Sequence, residues 1–166
     1  MPRAAAKPSF EVADVNRVLP LVRSIVTDIV ASAKRFREIE AERRALRSGP
    51  ATPNTPVTVA AIAALKAELE ERSAQTQEFV RELTELGGDI KDYERGLVDF
   101  DCERNGRTVL LCWQLGETEV THWHGADENY FDRRPISTLP PAEAPRSRTE
   151  SGGTKRAREG GSGSQS

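Results

Sequence analysis

The sequence is poor in aromatic residues, has only two cysteines and contains no long apolar run. Phe, Trp and Tyr make up 5% of the 166 residues, whereas Asp, Glu, Lys and Arg make up 30%, a composition that suits long solvated helices. Two cysteines do not build a disulfide scaffold, and no stretch approaches the roughly 18 apolar residues of a transmembrane helix. The first residues lack the apolar segment of a secretory signal. We therefore expect a cytoplasmic protein with no membrane partner.

Motifs of the common enzyme classes are also missing. The sequence has no phosphate-binding loop and no dinucleotide-binding glycine fingerprint, and its Ser, His and Asp residues do not follow the order of a known catalytic triad. Its cysteines and histidines show no recognised metal-binding spacing. Whether the protein is an enzyme is therefore left open at this level.

Two long helices are predicted for residues 10–87. In the first, apolar residues recur at alternating intervals of three and four from Val15 to Leu46, the spacing of helix-on-helix packing. Ser9 is the predicted N-cap. Pro20 removes one backbone hydrogen bond, so it predicts a kink, with a break into two helices as the alternative.

The second helix is predicted to begin at Thr55-Pro56, as N-cap and first helical residue. It carries the same apolar spacing and ends at Gly87-Gly88, because glycine adopts the left-handed conformation that follows a helix. A short turn-rich segment, 48–55, joins the two helices. We therefore expect a long antiparallel hairpin, which is the predicted surface for a binding or adaptor function and for a homodimer.

After Gly88 the period of the apolar residues changes to two. Strands Leu97–Cys102 and Thr108–Gln114 flank Asn105-Gly106, a strong hairpin signal. A third strand is predicted at Glu119–His124. The predicted fold class is thus α+β, with a helical hairpin packed on a three-stranded antiparallel β-meander in residues 88–136.

Both ends of the chain are predicted to lie outside this fold. Residues 1–9 are expected to form a flexible arm. Residues 137–166 are rich in Pro, Ser, Gly and Arg and have one large apolar residue, so we expect a disordered tail. The tail and the first helix are basic, which permits weak nucleic-acid binding, but residues 88–136 carry 6 Lys and Arg against 11 Asp and Glu. That acidity argues against phosphate binding there.

The predicted hairpin register brings Asp99 opposite Cys112. A three-residue turn before the third strand places His122 and His124 on the same face, whereas a two- or four-residue turn places them on the apolar face. We favour the first, because burying one tryptophan is better than burying two histidines. Thiolate, imidazole and carboxylate are the ligands of zinc or another transition metal. The candidate metal ligands are Asp99, Cys112, Glu117 and His124, with His122 and Asp127 as further candidates.

The alternatives at this site remain open. Cys112 is either an activated nucleophile or, more commonly, a small buried residue. Trp113 and Trp123 suit packing in the core or the stacking of a ligand. The Arg133 guanidinium suits a bidentate hydrogen bond to a carboxylate of the protein or of a ligand. Together with Arg95, these three are the candidate ligand-binding residues.

Two runs, KDYERGLVDF at Lys91–Phe100 and VLLCW at Val109–Trp113, resemble the uncharacterised bacterial family called domain of unknown function 2203. The similarity extends from Phe10 to Ile136, and it implies the same fold but no known activity. The chain departs from the family pattern at Asn129-Tyr130, where Gly-Phe is usual, and His122 lies outside the motif. The family's motif residues fall on Asn16, Asp92, Arg95, Gly96, Asp99, Phe100, Cys112, Trp113, Gly116, Glu117, Trp123, His124, Asp127, Arg133 and Pro135.

Overall fold

A computed structural model describes residues 8–49 and 54–142 of the chain, in which two helices precede five strands. The elements are α1 Val12–Ser48, α2 Pro56–Glu85, β1 Gly88–Asp92, β2 Leu97–Arg104, β3 Arg107–Gln114, β4 His122–Gly125 and β5 Arg134–Pro135. Single-turn 3-10 helices lie at Tyr130–Asp132 and Ile136–Thr138. The α+β class is confirmed, but the sheet has five strands and not three. Most of the predicted arm and tail lie outside the described residues, although Leu139 packs against the core.

Helix α1 begins two residues later than predicted. Its N-cap is Glu11, whose backbone N–H donates to Asp14 Oδ2 at 3.1 Å. Ser9 was the wrong cap, because its hydroxyl oxygen instead accepts from the backbone N–H of Glu103 at 2.8 Å. The helix continues through Pro20, so the alternative of a break into two helices is wrong. Pro20 is exposed, which lets water satisfy the carbonyl that the proline ring leaves without its helical partner.

Helix α2 begins and ends as the sequence predicts. The Thr55 hydroxyl accepts from the backbone N–H of Thr58 at 3.2 Å, and Pro56 is the first helical residue. After the helix, Gly87 has a φ of +90°, and Gly88 already belongs to β1. The glycine pair therefore both stops the helix and starts the sheet.

A charged bridge joins the two helices along their shared seam. The Arg35 guanidinium donates through Nε and Nη2 to the two carboxylate oxygens of Glu68, both at 2.8 Å. Arg72 donates to the same carboxylate at 2.9 Å. These two guanidinium groups lower the pKa of Glu68 to about 2. No helix within the described residues is both long and apolar enough to cross a membrane.

The five strands form an antiparallel meander in chain order. The β2–β3 register is the predicted one, with Asp99 opposite Cys112, and Asn105 and Gly106 take φ values of 52° and 69°, as a tight two-residue turn requires. Strand β4 starts later than predicted because the Val120 N–H bonds the Asn16 side chain at 2.9 Å and not the neighbouring strand. The two strands missed, β1 and β5, lie at the edges.

One face of the sheet packs on the first half of α1. This face is the predicted one, and its buried members are Val98, Phe100, Cys102, Leu111 and Trp113. They meet Val15, Leu19, Val22, Ile25, Val26 and Ile29 of the helix, together with Leu83 of α2. Because side chains alternate along a strand, the intervening residues of β2 and β3 point away from the helices. The candidate site lies on that second face.

Candidate metal centre

Three side chains from three consecutive strands meet on the second face of the sheet. Asp99 comes from β2, Cys112 from β3 and His124 from β4, and each can offer one ligand atom within 4.8 Å of the other two. All three are buried, with 4%, 2% and 3% of their surface exposed. The meander therefore gathers a carboxylate, a thiol and an imidazole in one buried cluster.

The other predicted metal ligands lie outside this cluster. His122 shares the face, being paired with Cys112 in the β3–β4 register, but its Nδ1 lies 2.8 Å from Thr121 Oγ1 and 3.0 Å from Arg133 Nη2. Glu117 accepts from the Gln114 backbone at 2.8 Å and from Arg133 at 2.7 Å. Asp127 is exposed. Glu117 and His122 are thus engaged in holding the β3–β4 connection.

The orientation of His124 leaves one ring nitrogen facing Asp99. His124 Nδ1 lies 2.9 Å from the carbonyl oxygen of Gly125, and because a carbonyl can only accept, Nδ1 carries the hydrogen. Nε2 lies 3.2 Å from Asp99 Oδ2. In a neutral imidazole Nε2 is then an acceptor, and so is the carboxylate oxygen. A proton or a cation is needed between these two atoms.

The second carboxylate oxygen of Asp99 is also in an unusual state. Oδ1 is buried and accepts no hydrogen bond from any residue that the structure describes. A buried carboxylate oxygen without a partner is costly, since the charged group loses its water. These acceptor atoms suit a proton or a cation.

The Cys112 thiol is not an activated nucleophile. Burial and the neighbouring charge of Asp99 raise its pKa to about 12, so the thiol keeps its proton at neutral pH. A reactive cysteine needs the opposite surroundings, with its pKa lowered by nearby cations. Cys102, on the core face, is buried too, and burial raises its pKa as well.

The cluster opens onto a cavity of about 420 Å³. Asp99, Cys112 and His124 all line it, so a group bound among them can be reached by a small molecule. The remaining walls come from strands β1 to β3, from the β1–β2 turn and from the segment around Tyr130. They comprise Lys91, Asp92, Arg95, Leu97, Leu110, Ala126, Glu128, Asn129, Tyr130 and Phe131.

The four predicted ligand-binding residues have different positions. Trp113 is fully buried, and its Nε1 donates to the Glu117 carbonyl at 3.0 Å. Trp123 donates to Thr138 at 3.1 Å and lies under Arg134. Arg133 pairs with Glu117. Within this set, only Arg95 lines the cavity.

Most of the cavity residues were not in the predicted set, Lys91 and Phe131 among them. Lys91 lies in the unpredicted strand β1. Asp89 of that strand is the direct neighbour of Asp99 across the sheet, so a prediction of β1 would have placed this strand beside the cluster.

The chain belongs to a family described as an uncharacterized conserved protein (DUF2203), which matches residues 9–136. This match confirms the resemblance seen in the sequence. No curated protein matches the chain. No solved structure matches it either.

Proposed function

We propose that this member of an uncharacterised family binds a divalent transition metal through Asp99, Cys112 and His124. Zinc fits the donor set best, because it is bound in proteins by thiolate, imidazole and carboxylate together. The observation that carries the proposal is the approach of His124 Nε2 to Asp99 Oδ2, two acceptors 3.2 Å apart. Two tetrahedral ligands at about 2.0–2.1 Å from zinc lie about 3.3 Å from each other, so this separation suits a shared metal.

The surroundings of the cluster have the features of a metal centre. The hydrogen bond from His124 Nδ1 to the Gly125 carbonyl fixes the ring orientation and the tautomer, as second-shell partners of metal-bound histidines do. Asp99 Oδ1, which accepts no hydrogen bond from the described residues, and the Cys112 sulfur supply further donor atoms. A bound metal would stabilise the Cys112 thiolate against the burial that otherwise keeps the thiol protonated.

Three protein ligands beside a cavity favour an active metal over a purely structural one. Structural zinc sites use four protein ligands, whereas catalytic sites use three and leave one position to water or a substrate. Here the fourth position would face the 420 Å³ cavity. A metal in such a site activates a water molecule or polarises a bound oxygen. We therefore propose a metal-dependent function directed at a small ligand.

The test is metal content combined with thermal unfolding. Protein purified without chelator should carry one metal per chain by elemental analysis. After the metal is stripped with EDTA, adding zinc at about 100 times its Kd should stabilise the fold by about 2.7 kcal/mol, a rise in Tm of roughly 5–11 °C for a chain of this size.

Substitutions separate this site from adventitious zinc binding. Cys112→Ser and His124→Ala should abolish the stabilisation. His122→Ala is the matched control, since His122 lies on the same strand and face but outside the cluster, and it should keep the zinc response. Equal responses of His122→Ala and His124→Ala, or no metal in the wild-type protein, would disprove the proposal.

A second candidate is the binding or adaptor role of the hairpin, acting as a homodimer. An apolar groove near the hairpin turn supports it, since Ala45, Leu46, Ala61, Ala64 and Leu65 line a cavity of about 590 Å³ that faces solvent. The first ten residues of α2 carry no charge, and Val57 is 79% exposed. Light scattering should show a dimer that Leu65→Asp converts to a monomer, and a monomeric wild-type protein would exclude this dimer.

A further inference from the structure

We propose that the cavity beside the metal centre binds a small organic oxyanion, with Arg95 holding its charged group. This inference rests on the proposed metal site, because the metal would occupy the floor of the same cavity. Its basis is the distribution of charged and apolar groups around the cavity walls.

Arg95 presents its guanidinium at the cavity wall. It lies in the turn between β1 and β2, and the guanidinium sits over the Tyr130 ring, 5.8 Å from the ring centroid. Its ion pair with Asp92 is long, at 3.8 Å, and the Arg95 side chain is 53% exposed. Asp92 Oδ1 accepts from the backbone N–H groups of Glu94 and Arg95, so this carboxylate serves mainly the turn. The ring thus positions a guanidinium fork that is not saturated by its acidic neighbour.

When metal is bound, the acidic groups that line the cavity are already engaged. A divalent metal is neutralised by the Asp99 carboxylate and the Cys112 thiolate. Glu128 is held by two hydrogen bonds from Arg134 and by one from the backbone N–H of Gly125.

Lys91 is the second cation of the wall, and its ammonium group pairs with the exposed Asp89. Exposed ion pairs of this kind are worth little, so the ammonium group can turn to a ligand at low cost. Arg95 and Lys91 are then the charges available to a ligand, and both favour an anion. The guanidinium fork suits the paired oxygens of a carboxylate or a phosphate.

Apolar walls indicate that the anion has an organic body. Leu97, Leu110 and Ala126 are among the residues that line the cavity. Phe131 stands at the mouth with 85% of its surface exposed, and its ring packs edge-on against Tyr130 at 5.7 Å. A volume of about 420 Å³ lies at the lower end of the range for small-molecule sites. The cavity therefore fits a compact molecule with one oxyanion and an aromatic or aliphatic group.

The experiment uses three probes that share a phenyl ring. Benzoate and phenylphosphonate carry a carboxylate and a phosphate-like group, and benzamide is the neutral control. Calorimetric titration of the zinc-loaded protein should show binding of the anions and none of benzamide. Whichever anion binds more tightly identifies the oxyanion that the cavity prefers.

Variants of Arg95 then test its role. Arg95→Met should weaken binding of the preferred anion about tenfold, as expected for the loss of one charge-assisted interaction. Arg95→Lys keeps the positive charge but not the guanidinium fork. Its affinity for the anion should therefore lie between those of the wild type and of Arg95→Met. Arg81→Met is the matched control, because Arg81 is an exposed arginine of α2 paired with Glu78 and Glu85, and it should bind as the wild type does.

The outcomes distinguish this inference from the metal site. If both wild type and Arg95→Met hold one zinc and bind the anions equally, or if neither anion binds, the role of the cavity is overturned while the metal site stands. If no zinc binds but the anions still bind and depend on Arg95, the cavity assignment is supported and the metal site fails.

Discussion

The substitution Asp99→Asn gives a sharp test of what the buried cluster is for. In the metal-free protein the Asp99 carboxylate is 4% exposed, with one oxygen lacking a hydrogen bond and the other facing an acceptor nitrogen of His124. An asparagine of the same shape has no charge to desolvate, and its amide group can donate to Nε2 across the same gap. We therefore expect the metal-free variant to be more stable than the wild type.

The size of the effect follows from these two changes. A new hydrogen bond to Nε2 contributes about 1 kcal/mol, and relief of the unpaired buried oxygen contributes about 1–3 kcal/mol. Since the two act on one residue and are not additive, we expect a net gain of about 1–3 kcal/mol in the free energy of unfolding. The opposite explanation, a structural ion pair between Asp99 and protonated His124, predicts a loss of about 3–5 kcal/mol. The two explanations therefore differ in sign.

The assay is urea unfolding at pH 8 in EDTA and again with zinc. Asp99→Asn should be stabilised in EDTA and should lose most of the zinc response, because an amide is a poor ligand in place of a carboxylate. Asp89→Asn is the control on the neighbouring strand. It is opposite Asp99 and exposed, so its effect should stay within about 0.5 kcal/mol. A loss of 3 kcal/mol or more for Asp99→Asn in EDTA, with an unchanged zinc response, would refute the metal-site reasoning.

Three further predictions concern the chain around the site. Gly87→Ala should destabilise the fold by about 2–4 kcal/mol, since the φ of Gly87 is +90° and a Cβ there would overlap the Phe10 ring. The control is Gly116→Ala, which has a φ of +105° and open space around it and should cost about 1 kcal/mol. Equal losses of stability in urea unfolding would contradict this prediction. Because the pKa of the Cys112 thiol is raised to about 12, zinc must displace the thiol proton when it binds. The zinc affinity should therefore rise about tenfold per pH unit near neutrality. A zinc affinity that is independent of pH in chelator competition would count against Cys112 as a ligand. In the metal-free protein the same shift predicts that stability falls between about pH 9 and 12, where the unfolded thiol loses its proton first.

Local signals in the sequence were sufficient for the helices and the central hairpin. Asn105-Gly106 permits one tight turn, and that turn fixes the pairing of Asp99 with Cys112. The register confirms the predicted face of β4 for His122 and His124. The reason given for that face holds only in part, because His124 is buried on it.

The edge strands depended on tertiary contacts and were missed. β1 is five residues long and largely polar (GDIKD), so its pattern does not differ from that of a loop, and it forms because β2 supplies the pairing. The two residues of β5 carry no pattern at all. Among the candidate ligands, Glu117 lies outside the cluster of Asp99, Cys112 and His124. Nothing in the sequence shows that Arg133 and the Gln114 backbone bind its carboxylate.

The turn at Asn105-Gly106 links the stability of the protein to its proposed function. Along β2, Val98 and Phe100 point into the helical core, and Asp99 between them points into the cluster. A shift of one residue in the β2–β3 pairing would exchange these faces, so it would bury the carboxylate against α1 and expose the phenylalanine. The burial of the apolar face therefore selects the same register that aligns Asp99 with Cys112. The alignment of Asp99 with Cys112, which the proposed metal site needs, is therefore stabilised by the core, because a slip in this register would also disrupt the core.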